Sequence, residues 1–362
     1  MLTRPLHSDY LGTRHFAALD GLRCLAIVPV IWHHSTPRPL PGLLGKGPAG
    51  VDLFFCISGF LITTLLLREK SGTGEIALSS FYARRALRIL PLHYAVLVSY
   101  VAFALLLPTS APQRAHFFHT LPYYATFSAN WFADFGVAYP VLFAFAWSLC
   151  VEEQFYAFWP WLVRSLSRPA ALLAMLALLG CDAAAERGSL SAVLPTGSLA
   201  LRMVTSFAAP IGLGAILALL LDMPWGFAQL ARVLGRPWSA PLSLVLVIAL
   251  LTWPSAPLFG FQLGLTALVG ACVITEHHGL GRPLRARPVG YVGRVSYGLY
   301  LLNLTAIGVV RRAFPGHACE SLFVFASSFP LALGLAALSY HYLEAPLLGQ
   351  RARFRPTPAD SS

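Results

Sequence analysis

Residues 20–35 read Asp20-Gly-Leu-Arg23-Cys-Leu-Ala-Ile-Val-Pro29-Val-Ile-Trp-His33-His34-Ser35. With its flanks the run covers 19–37, and a bilayer span takes about 20 mostly apolar residues. Yet it carries Arg23, His33 and His34. Ionisable groups are expensive inside a membrane and gather there only where they work. Whether this segment is a soluble core helix or a membrane span decides the fold.

The rest of the chain answers for the span. Hydrophobic residues make up 57% of the 362 and charged residues 11%, against roughly 25% charged in an ordinary soluble domain. Mean hydropathy is +0.66. So much apolar surface needs lipid as its solvent. Ten stretches read as spans: 19–37, 49–68, 87–107, 141–163, 169–185, 202–221, 239–254, 257–275, 294–312 and 322–343. Placing the N-terminus in the cytoplasm puts 19 of the 26 Lys and Arg on the inner side and 7 on the outer, as positive-inside topology requires. The expectation is an all-α polytopic integral membrane protein of about ten transmembrane helices, with both termini cytoplasmic. It has a cytoplasmic segment 1–18, one transmembrane domain 19–348 and a basic, disordered tail 349–362. No cleavable signal and no internal repeat is apparent.

The formal net charge of +11 follows from that loop bias, and no basic stripe with interleaved aromatics suggests nucleic acid as a partner. The six cysteines show no metal-ligand spacing and sit mostly in apolar runs, so neither a metal nor a disulfide framework is expected.

The polar residues inside the spans carry the chemistry. Arg23 and His34 are eleven residues apart, close to three helical turns, so they share one face about 16 Å apart along the axis. That face has a phosphate-type binder near the inner end and a proton acceptor further out. Pro29 between them predicts a kink. The second span opens Gly50-Val-Asp52-Leu-Phe-Phe-Cys-Ile-Ser58-Gly59. Asp52 enters at a depth similar to His34, where it either orients the imidazole or serves the helix N-terminus. The loop into the third span holds Arg85 and Arg88 at i, i+3, either a phosphate site or ordinary inner-side charge. The fourth span contains Trp147-Ser-Leu-Cys-Val-Glu152-Glu153-Gln-Phe-Tyr156. Its adjacent carboxylates point about 100° apart, one toward a pocket and one toward a structural partner, with an arginine expected beside one of them.

Weaker signals remain. Tyr297, Tyr300 and Asn303 lie at depth in the ninth span and read as packing and interhelical hydrogen bonds. His341 and Glu344 tie helices together, and His277 and His278 read as solvent-facing. The aromatic-rich segment 108–140 reads as a partial amphipathic helix along the interface.

Together these residues resemble the membrane-bound acyltransferase-3 family, from Leu19 to about Leu348. Arg23 with His34 is similar to its R-x10-H first helix, Gly50–Ile62 to its second, and Arg85-Ala-Leu-Arg88 to its R-x-x-R motif. Trp147–Tyr156 is similar to its fourth-helix signature, in which the first Glu is the patterned one, and Tyr342-Leu-Glu344-Ala-Pro346 also fits. Two departures stand out. His33 doubles the histidine, and Asn303 stands where many members have His, so no catalytic role is carried to it.

The resemblance implies an O-acyltransferase of the bacterial cytoplasmic membrane. It would use acyl-CoA, by default acetyl-CoA, as co-substrate, with no tightly bound cofactor. The acceptor would be a hydroxyl of a surface polysaccharide, a lipopolysaccharide, a lipid-linked saccharide or a glycosylated metabolite. Arg23, Arg85 and Arg88 would bind the donor's phosphates. His34, Asp52 and Glu152 would be catalytic, with an acyl-histidine intermediate as a second route. Trp147, Tyr156 and Ser58 would meet substrate. The alternative is a proton- or solute-coupled transporter, which would also bury these polar groups but would move its substrate unchanged.

Overall fold

The computed structural model describes residues 5–36, 42–138, 140–190, 193–195 and 197–354. Among these the secondary structure is helical throughout, without strands. The helices are α1 His7–Gly12, α2 Ala17–Ser35, α3 Ala49–Thr73, α4 Leu78–Leu106, α5 Ala111–Ala125 and α6 Ala129–Phe132. Next come α7 Trp147–Ser165, α8 Arg168–Glu186, α9 Leu199–Thr205, α10 Ala209–Asp222, α11 Pro224–Leu234 and α12 Ser239–Thr252. Last are α13 Leu258–Ile274, α14 Gly281–Leu284, α15 Arg287–Arg294, α16 Ser296–Ala313, α17 Ser321–Ser339 and α18 Ala345–Gly349.

Every expected span contains helix, but the bounds differ for physical reasons. α4 starts at Leu78 instead of 87, so the Arg85/Arg88 motif lies on a helix and not in a loop. α7 starts at Trp147 instead of 141, because Phe143 takes a left-handed φ of 62° that no continuing helix can hold. The expected span 202–221 is broken into α9 and α10, with Pro210 at the opening of α10. α5, α8 and α9 begin behind serines: Ser110, Ser167 and Ser198 accept from Gln113, Ala170 and Leu201 backbone N–H groups.

Among the described residues, four stretches are long and apolar enough to cross a membrane: α3, α4, α8 and Ser321–Gly349. The number is six if each of two bent helix pairs is one span. The expectation was about ten. α2, α7 and α16 drop out because their Asp, Glu, Arg, His and Asn residues offset the apolar ones, and these helices carry most of the candidate site; α13, with 17 residues, drops out because it is short.

The chain forms two compact units. The first comprises Met1–Ser71 and Pro210–Tyr340. Its centre is α2, against which α13, α14, α15, α16 and α17 are all packed. The apolar core joins Leu22 and Ala26 of α2 to Cys56 and Phe60 of α3, and to Leu268 and Val269 of α13. Helices in lipid gain little from burying apolar side chains against one another, so close backbone approach holds them together. Gly59 lies on the Ile211 carbonyl and Gly214 on that of Cys56, which locks α3 to α10. α11 and α12 meet at a 76° bend. Arg68 donates to the carbonyls of Tyr10 and Thr13, and His7 Nε2 donates to Leu221 O, so the helix within the 1–18 segment is docked. His278, expected to face solvent, is buried at 6% exposure while His277 is exposed. Its loop is pinned inward by a 2.7 Å bond from Gly279 N to Pro237 O.

The second unit comprises Gly72–Ala209 and His341–Ser362. Its helices include α4 to α9 and α18. Within the 108–140 segment, Phe117 and Tyr124 of α5 turn inward, and Tyr124 and Phe143 meet edge to face at 5.2 Å. His93 of α4 donates from Nε2 to Tyr124 O at 3.1 Å. Gln350–Phe354 is a 3-10 helix held to α4, and the Arg84 guanidinium donates to Phe354 O. Residues 355–362 lie outside the described residues.

Candidate active site

The N-terminal end of α2 is an ion-pair cluster. Arg23 Nη1 lies 3.1 Å from Asp20 Oδ1, one turn earlier on the helix, and His15 Nε2 lies 3.4 Å from Asp20 Oδ2. Asp20 is in the first turn, where a carboxylate complements the positive end of the helix dipole. It is buried because α15 lies directly over it, with Gly293 against the Asp20 carbonyl. A side chain at 293 would hold the helices apart. Arg23 is therefore fixed by its own helix at the place where a phosphate binder was expected.

α2 continues through Pro29 to Ser35 and carries His34 in its last turn. His34 Nδ1 is 2.8 Å from Asn303 Oδ1 on α16. Arg311, two turns further along α16, donates to the carbonyls of Ser35 at 3.2 Å and His34 at 3.5 Å. It caps the end of α2, where the last carbonyls lack helical partners.

Of the two readings of Asp52, the one that bonds it to His34 is not formed among the described residues; Asn303 takes that place. Helix register explains it. α3 runs antiparallel to α2, with Gly47 against Pro29 and His33 and Gly50 against Ala26 and Val30. Continuing that register puts Asp52 level with about residue 26, eight residues or roughly 12 Å short of His34. Asp52 stands partly buried in the first turn of α3, between the levels of Arg23 and His34. Ser58 lies deeper on α3 and is partly buried.

In the second unit α4 and α7 bring another group together. The Arg85 guanidinium lies over the Tyr156 ring, 4.6 Å from its centroid, and Glu153, Glu152 and Arg88 make up its electrostatic surroundings. Arg85 is thus the arginine expected beside the carboxylate pair. Glu153 Oε1 is sealed from solvent and accepts no hydrogen bond. Tyr82 donates from its hydroxyl to Ala157 O at 2.6 Å, which fastens α4 to α7. Gln154 exchanges amide hydrogen bonds with Asn130 at 2.8 and 3.0 Å and donates to Phe127 O, fastening α7 to the α5–α6 turn. Tyr156 is buried, Trp147 is 42% exposed at the start of α7, and Arg88 and Glu152 are partly buried.

The structure thus brings His34 to Asn303, Arg23 to Asp20, and Arg85 to Tyr156 and the carboxylates; it does not bring Asp52 to His34. Asn303, Arg311 and Asp20 were not singled out as site residues from the sequence. A polar amide in an apolar span marked Asn303 as present at depth, but no sequence pattern marks Arg311.

A sequence model of the family described as acyltransferase domain, Acyl_transf_3, matches residues 16–341. The chain is 27% identical over 361 residues to "Peptidoglycan O-acetyltransferase OatA" of Listeria monocytogenes, covering 92% of this chain and 56% of that protein. It is 28% identical over 369 residues to "Putative peptidoglycan O-acetyltransferase YrhL" of Bacillus subtilis, covering 94% and 56%. A shorter match, 37% identical over 166 residues, is to "Putative O-acetyltransferase SACOL0978" of Staphylococcus aureus, covering 44% of this chain and 26% of that one. The chain spans about half the length of the first two relatives, and no solved structure matches it. The matched region holds the Arg23–His34 helix, the α3 opening, the Arg85/Arg88 pair and the α7 carboxylates, and the chain belongs to the acyltransferase-3 family.

Proposed function

We propose that this protein is a membrane O-acetyltransferase of the bacterial cytoplasmic membrane. It moves an acetyl group from acetyl-CoA, offered at the cytoplasmic side, to a hydroxyl of a cell-surface saccharide. The observation that carries the reading is α2 itself. Within a family of acyltransferases, one helix fixes a guanidinium at its inner end and holds an imidazole about 16 Å away, partnered through one nitrogen. A pantetheine arm is long enough to carry a thioester over that span. The relatives named for peptidoglycan favour a cell-envelope glycan as acceptor class.

In this reading guanidinium groups bind the phosphates of the donor, the candidates being Arg23 in the first unit and Arg85 and Arg88 in the second, since guanidinium groups match phosphate geometry. His34 is the general base. It takes the proton from the acceptor hydroxyl as that oxygen attacks the thioester carbonyl. The carbon–sulfur bond breaks, the new ester forms, and the proton passes from His34 to the departing thiolate. Asp52 contributes negative charge along the α2 face without a direct bond to His34. Glu152 orients the arginines of its cluster, and Trp147, Tyr156 and Ser58 contact substrate.

The test is transfer from radiolabelled acetyl-CoA by the full chain in lipid vesicles supplied with cell-envelope glycan, while free thiol is measured. Stoichiometric thiol release with label in an alkali-labile glycan ester, lost in His34→Ala, is the expected result. Uptake of unchanged solute with no thiol release would establish a transporter instead.

A further inference from the structure

We infer that Asn303 is a positioning residue that fixes His34 as the Nδ1–H tautomer and so makes Nε2 the nitrogen that works on substrate. The inference rests on the proposed acyl transfer only in the last step, from tautomer to chemistry.

Asn303 is fully buried, so its amide must find partners in the protein. Its two N–H bonds are both used on its own helix: Nδ2 donates to Tyr300 O at 2.6 Å and to Leu299 O at 3.2 Å. Rotating the amide by half a turn would press Oδ1 against those two carbonyl oxygens, three acceptors with no hydrogen among them. The orientation is thereby determined, and Oδ1 is the atom that faces His34 Nδ1 at 2.8 Å. An amide oxygen only accepts, so Nδ1 carries the proton. Neutral imidazole has one N–H, which leaves the lone pair on Nε2. No described residue hydrogen-bonds to Nε2, and it is not among the sealed polar atoms, so it remains open to an incoming hydroxyl or acyl carbon.

The chemistry of the partner matters as much as its place. A carboxylate at this position would also stabilise the imidazolium formed when His34 takes a proton. A neutral amide orients without doing so. His34 is therefore set as a neutral base that holds its proton briefly, which suits prompt delivery to a thiolate leaving group. Arg311 completes the arrangement by holding the His34 and Ser35 carbonyls, so the imidazole and its partner are both carried by α16 contacts.

The experiment is nitrogen-15 NMR of the full chain in lipid nanodiscs, with histidine labelled in the imidazole ring and His34 assigned by difference from His34→Gln. The expected pair of shifts is pyrrole-type at Nδ1 and imine-type at Nε2. Asn303→Asp, which keeps an acceptor at the same place, retains that pattern. Asn303→Leu gives a mixed or inverted pattern and lowers kcat on the order of 10²-fold with an unchanged KM for acetyl-CoA. Imine-type Nδ1 in the unmodified chain overturns the inference whether or not the protein is active. The expected shifts in a chain that never transfers acetyl would uphold the tautomer and overturn the proposed function instead.

Discussion

The guanidinium of Arg85 lies over the ring of Tyr156, 4.6 Å from its centroid, across the contact between α4 and α7. Glu153 is nearby with one oxygen sealed and unbonded, so the arginine offsets a carboxylate that would otherwise be stranded. Replacing Arg85 by Gln removes that charge and costs about 2 kcal/mol, in the range for a buried polar group left without its partner. Adding Glu153→Gln removes the stranded charge and recovers much of the loss. Thermal unfolding in detergent of the two single variants and the double variant measures this. An Arg85→Gln that the second change worsens would refute the pairing.

Much of this was legible in the sequence. Helical spacing alone put Arg23 and His34 on one face, and two adjacent carboxylates in an apolar run required an arginine. The His34 partner was not legible, because pairing between helices depends on register. Asp52 looked right by depth, counted from the ends of two spans. The glycines at 47 and 50 slide α3 along α2 until Asp52 is about eight residues away. The place of Asn303 follows from α16 lying beside α2, a contact that no local pattern encodes. Span counting was weak for a related reason: the helices that carry the candidate site residues are among the least apolar ones.

Asp52 and Asn303 act on separate levels of α2, so their effects should be independent. Asp52→Asn and Asn303→Leu each lower kcat, and the double variant lowers it by the product of the two factors. Residues that share no contact couple by less than about 0.5 kcal/mol. A double-mutant cycle on transfer rate checks this, and strong coupling would return Asp52 to direct contact with His34.

His278 gives a pH dependence of stability. Burial and the positive charge of Arg285 push its imidazole below the usual histidine range. Both its nitrogens are sealed without partners, and the facing Arg285 is shared with Glu276. The unfolded chain therefore takes up a proton here before the folded one does. Stability contributed by the neutral ring is present above the unfolded pKa, about 6.5, and is lost as pH falls below it toward the lower folded value. Unfolding temperature should drop from pH 8 to pH 5.5, and less so in His278→Leu. An equal drop in both proteins would assign the effect to other groups.

Gly293 tests whether the inner end of α2 holds the donor. A Cβ at this position meets the backbone oxygen of Asp20, which no side-chain rotation can relieve. Gly293→Ala must push α15 away from α2, at about 1–3 kcal/mol as for other overpacked contacts. The displacement falls on Asp20, and through it on the Arg23 ion pair, while His34 and Asn303 lie about 16 Å away at the other end. If Arg23 binds donor phosphates, the KM for acetyl-CoA rises severalfold and kcat at saturation changes little. Dephospho-CoA thioester, which has fewer phosphate charges to lose, should be affected less. A fall in kcat with unchanged KM would mean that this end of the helix supports the fold and not the donor.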